Sequence, residues 1–95
     1  MKVIWGLRAK RDLHELIAYL LDRSLQGTEN VAARIQSSTE LLGRMPHAGR
    51  LGRIQGSREM VVSNTPYILA YRIVSGRVRI LRVYHSARRW PLRMD

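Results

Sequence analysis

The side chains able to do acid-base chemistry gather near the C-terminus, where Tyr84, His85 and Arg88 offer a phenol, an imidazole and a fixed cation. His85 fits a general acid or base, and it equally fits a structural role, holding the chain that follows by hydrogen bonds. Further back, Arg58 and Arg72 are forked cations suited to phosphate or carboxylate, although Glu59 could neutralise its neighbour Arg58. Trp90 follows Arg88 and Arg89, an aromatic in a basic tail that could anchor a partner, stack on a base or lie as a lid over the end of a sheet. His14 and His47 have no neighbours at metal-ligand spacing. With no Cys in the chain, thiol catalysis, disulfides and zinc fingers are excluded, and neither a metal nor a cofactor is expected.

These groups must be held by 95 residues, which allows one small domain over 1–95 with 86–95 as a loose tail. A chain this short buries only about 60–65% of its unfolded surface, so nearly every apolar periodicity must serve one core. Lys and Arg number 17 against 7 Asp and Glu, a net charge of +10, and all of those cations except Lys2 and Lys10 are Arg. A compact chain so charged repels itself and asks for an acidic partner, whether nucleic acid, anionic surface or acidic protein. No apolar run approaches the ~18 residues of a membrane span, and the first residues lack the apolar stretch of a signal peptide. A cytoplasmic protein with no membrane partner is expected.

Residues 2–6 predict a short β-branched and aromatic strand ended by Gly6. Leu13, Leu16, Ile17, Leu20 and Leu21 then recur at helical spacing and predict a helix over 9–24, with Arg8–Asp12 and Arg11–Glu15 pairs on its outer face. Gly27 breaks it, and Thr28 is the expected N-cap of a second helix that carries Val31, Ile35, Ser38, Leu42 and Met45 to about Arg44. Pro46 stops that helix, residues 46–56 read as a loop, and strands follow over 58–62, 67–74 and 77–85. The order is β-α-α-β-β-β, an α+β fold in which a helical hairpin packs on one face of a small, mainly antiparallel sheet.

If the two-residue turn Ser75-Gly76 fixes the register, Val74 faces Arg77 and every further pair follows in step. One face then carries Ile73, Val78, Tyr71, Ile80, Leu69, Arg82, Tyr67 and Tyr84, and is expected to receive the helices. The other sets Arg72 across from Arg79, with Arg77, and ends in His85. A fold would not choose such a like-charge pair for stability alone. Beside those cations the same register places Ile68, Ala70, Leu81 and Val83, an apolar patch that a partner segment carrying Leu or Val with Asp or Glu would fill.

Trp5, the stripe of Ala9, Leu13, Ile17 and Tyr19, the loop Met45-Pro46-His47-Ala48-Gly49-Arg50, Ser57-Arg58-Glu59-Met60-Val61, Thr65-Pro66-Tyr67-Ile68 with Tyr71-Arg72, and Ile80-Leu81-Arg82-Val83-Tyr84-His85 with Arg88 and Trp90 resemble the RelE/ParE superfamily. These are toxins of bacterial type II toxin-antitoxin modules, the growth-arresting and plasmid-stabilising kind. The resemblance implies a cognate antitoxin as partner, and operator DNA only through the toxin-antitoxin complex. RelE-like members cleave messenger RNA on the ribosome, which would make Arg58, Arg72, Tyr84, His85 and Arg88 the catalytic candidates. ParE-like members instead bind and poison DNA gyrase. Ile68 stands where such nucleases commonly carry Arg, and Trp90 where they carry Tyr, so the resemblance points to the gyrase branch. The partner-binding residues expected are Ile68, Arg72, Arg77, Arg79, Leu81, Val83, Arg88 and Trp90. A plain basic nucleic-acid-binding module is a third reading.

Overall fold

β1 (Lys2–Trp5) stops at Gly6, whose N–H donates to the Ile80 carbonyl at 2.8 Å before the chain turns into α1 (Leu7–Leu21). Ser24 then caps α2 (Leu25–Arg44), its side chain accepting from the Gly27 N–H at 2.9 Å. The break expected at Gly27 is therefore the first turn of α2, and Thr28, buried inside that helix, donates its hydroxyl to the Ser24 carbonyl. The computed structural model describes residues 1–87. After α2 come β2 (Arg50–Leu51), β3 (Arg58–Val61), β4 (Tyr67–Val74) and β5 (Arg77–His85). The expected loop over 46–56 thus hides a two-residue strand, which periodicity cannot reveal at that length.

The strands form one sheet in the order β1-β5-β4-β3-β2, with β1 parallel to β5 and all other pairs antiparallel. Both helices lie on one side. Ala9, Leu13 and Leu16 of α1 and Val31, Ile35, Leu41 and Leu42 of α2 meet Leu69, Tyr71, Val78 and Ile80 from the sheet, with Val3 and Trp5 of β1 against the same core. Two ends of the predicted stripes fall outside it: Leu21 and Met45 are 53% and 57% exposed.

Ser75 and Gly76 both take positive φ, 51° and 72°, which is what a two-residue turn needs to match the twist of its strands. From that turn the register runs as expected through Arg72 opposite Arg79 and Tyr71 opposite Ile80. There a β-bulge intervenes. Ala70 faces Arg82, Leu69 faces Val83, Ile68 faces Tyr84 and Tyr67 faces His85, one residue out of the predicted step. The slip moves Val83 and His85 to the helix side and Tyr84 to the open side, correcting the sequence assignment of all three. The bulged register keeps charge out of the core: the unbulged one would have aimed Arg82 into it opposite Leu69, whereas the bulge fills that place with Val83, 8% exposed.

Candidate basic interface on the open sheet face

The open face begins at its cations. Arg77 and Arg79 are exposed beside Lys2 and Ile4 of β1, their register partners, and Arg72 stands directly across from Arg79. Arg72 donates Nη2 to the Gln55 carbonyl at 3.3 Å, and its Nε has no hydrogen-bond partner among the described residues. The like-charge pair is real, and the open side leaves Arg79 free to lean into water.

The apolar patch differs from expectation. Ala70 is fully buried and Tyr84 6% exposed, in a small second cluster with Ile54 and Leu81, so the segment after β2 folds over this part of the face. Ile68 is buried as well, and Val83 belongs to the other side. Of the predicted partner residues within 1–87, the open face therefore keeps Arg72, Arg77, Arg79 and the half-buried Leu81 at its surface. Arg88 and Trp90 lie outside the described residues, as does all but the start of the expected 86–95 tail.

Two polar clamps hold the chain over 46–53, and sequence reading missed both. Glu59, 3% exposed, accepts from Arg50 Nη2 at 3.1 Å and from the Arg53 N–H at 3.1 Å. It does not neutralise Arg58, whose guanidinium donates instead to the carbonyls of His47 and Gly49. Tyr71, buried opposite Arg58, donates its hydroxyl to the Pro46 carbonyl at 2.8 Å and accepts from the Gly49 N–H at 2.9 Å. A Cβ at position 49 would sit 2.6 Å from that hydroxyl and 2.8 Å from the Glu59 carbonyl, so only glycine fits. Burial raises the Tyr71 pKa, against the lowering effects of the Gly49 hydrogen bond and the Arg58 charge.

The remaining candidates have been taken up by the fold. His85 packs edge-on against Tyr67, ring centroids 5.5 Å apart, and its Nδ1 accepts from the Ala87 N–H at 3.1 Å, which is the chain-holding role. Burial pushes the Tyr84 phenol up to about 12, with the Arg82 charge opposing. Arg82 forms a two-pronged pair with Asp12, at 2.8 and 3.2 Å, and so Asp12 does not belong to the Arg8 pair predicted along the helix. That pair raises the Arg82 pKa, chiefly through the hydrogen bond. A cleft of about 370 Å³ opens beside it, between α1 and the end of β5, lined by Glu15, Leu16, Tyr19, Tyr67 and His85 among others. Among the described residues no group of His, Asp and Glu could hold a metal ion, and no helix is long and apolar enough to cross a membrane.

Residues 3–90 match the profile of a family described as the ParE toxin of the type II toxin-antitoxin system parDE. The chain belongs to the ParE toxin family. It is 41% identical to Y4kP of Sinorhizobium fredii, a protein named as a toxin, over 95% of this chain and 93% of that one. Toxin RelE2 of Caulobacter vibrioides is 33% identical over 92% of this chain and 97% of its own length. Among solved structures, a chain of the chromosomal ParDE system from P. aeruginosa superposes with a TM-score of 0.78 at 20% identity, covering 90% of this chain and 95% of that one, a likeness of fold. A chain of the RelBE2 toxin-antitoxin complex of Mycobacterium tuberculosis gives 0.62 at 30% identity, over 92% of both chains. This ParE-family chain is thus a type II toxin with the RelE/ParE fold, two helices packed on a mixed sheet.

Proposed function

We propose that this toxin arrests growth by binding and poisoning DNA gyrase through its open basic face, Arg72, Arg77, Arg79 and Leu81, with Arg88 and Trp90 as further contacts. The reading is of a binding toxin with no reaction of its own, and what supports it is the dispersal of the four nuclease candidates among the described residues. Self-cleavage of a phosphodiester needs a base, an acid and a cation within hydrogen-bond reach of one phosphate. Arg58 and His85 lie on the helix side at the register positions of Tyr71 and Tyr67, ~13 Å apart along the strands. Arg72 and Tyr84 lie on the other side, and a phenol pushed up to about 12 stays protonated near neutrality and makes a poor base.

The similar solved chains come from ParDE and RelBE toxin-antitoxin assemblies, which supports a cognate antitoxin as the neutralising partner here. With +10 on the toxin, an acidic or amphipathic antitoxin segment that folds on contact is the fitting chemistry, laid over the same cations. One induction experiment tests the mechanism. DNA damage and lost supercoiling, with ribosomes still translating, is the expected result. Codon-dependent cuts in ribosome-bound messenger RNA, with supercoiling intact, would move the toxin to the nuclease branch.

A further inference from the structure

We propose that Asp12 is a positioning residue of this toxin: it selects the bulged register of β5 over 82–85, and thereby the faces on which Tyr84 and His85 stand. The inference rests on reading the open face and tail as the working surface. β1 ends at Trp5, opposite Ile80, so from Leu81 onward β5 has an outer edge with no strand beside it among the described residues. Asp12, in the second turn of α1, stands at that edge. Its carboxylate accepts from the Val83 N–H at 2.9 Å and from Nε and Nη2 of Arg82 at 2.8 and 3.2 Å.

The backbone makes this contact selective between registers. Ile80 turns its peptide groups outward, its carbonyl taking the Gly6 N–H. In an unbroken antiparallel strand the outward positions recur every second residue, so Arg82 and Tyr84 would be next and Val83 would turn its N–H toward β4. The extra residue at Leu81 moves the outward position to Val83, where Asp12 meets it. The contact between the Asp12 carboxylate and the Val83 N–H therefore exists only in the bulged register. Without the bulge, Tyr84 would return to the helix side and His85 to the open side.

The experiment compares Asp12→Ala with Asp12→Asn, which keeps an oxygen for the Val83 N–H, and with Asp22→Ala, a like charge change at a side chain 86% exposed. Growth arrest at matched levels of soluble folded toxin and hydrogen exchange at the Val83 amide are read together. Asp12→Ala is expected to exchange at Val83 at least ~10-fold faster and to need a correspondingly higher dose for arrest, with Asp12→Asn recovering part of both and Asp22→Ala matching wild type. Wild-type potency per folded molecule in Asp12→Ala, or unchanged protection at Val83, overturns the proposal. Should Asp12→Ala not accumulate, Asp12→Asn and Arg82→Gln carry the same two readings: potency lost only in proportion to folded protein overturns it. Wild-type toxin that leaves supercoiling intact would remove the gyrase reading alone, because arrest and exchange do not depend on the target's identity.

Discussion

On the helix side of the sheet Leu69, Tyr71, Val78 and Ile80 have no exposed surface, while on the open side of the same strands Arg77 and Arg79 stand in water and Arg72 faces Arg79 across the ladder. The two sides differ in what a substitution removes. A helix-side change leaves a void that the neighbours fill only in part. An open-side change removes charge that solvent already screens, so its effect should fall on partners and hardly on folding. Between Arg77 and Ile80 the pleat thereby alternates solvated cations with buried core residues, until the bulge at Leu81 breaks the alternation.

The most severe test of that separation is Ile80→Ala, which should cost ~2–5 kcal/mol and unfold much of the toxin at 37 °C, read by denaturant titration. Next comes Tyr71→Phe. It keeps the ring and strands the Gly49 N–H and Pro46 carbonyl, so a loss of ~1–3 kcal/mol is expected in the same titration. Tyr84→Phe sharpens the boundary by pH. The buried Tyr84 pKa is raised above its unfolded value of 10.0, so the folded state holds the proton longer. The stability this phenol contributes is fully present below pH 10 and is lost as pH rises toward about 12. Thermal melts of Tyr84→Phe should therefore fall less steeply across that alkaline window than those of wild type. Smallest in folding terms is Arg79→Glu. Its stability should stay within ~0.5 kcal/mol of wild type, since it relieves the Arg72 repulsion, while antitoxin affinity by calorimetry drops at least ~10-fold. If Arg79→Glu unfolds the chain and Leu16→Glu instead spares the fold but abolishes antitoxin binding, the two faces have been assigned the wrong way round.

Periodicity and turn chemistry alone determined the two helices, the strands over 58–85, the Ser75-Gly76 turn and the opposition of Arg72 to Arg79, because each depends on residues close in the chain. The family was legible in ordered short segments spread along nearly the whole length. A signal for the bulge was also present: Ile80 and Leu81 stand side by side before Arg82, and an unbroken alternation buries that Arg. What no local pattern carried was the choice of partners over long separations. Asp12 has Arg8 at helical spacing and yet pairs with Arg82, and Glu59 has Arg58 next to it and yet takes Arg50 and the Arg53 N–H. In a strand, adjacent side chains point to opposite faces, so Arg58 and Glu59 could not meet on one face. In the helix, the edge of β5 left bare beyond Trp5 offered Asp12 one backbone donor and two guanidinium donors together, more than a solvated Arg8 could. Tertiary structure decided these pairings because a partly buried carboxylate goes where its oxygens are best satisfied, and that place exists only once the strands have been brought beside the helix.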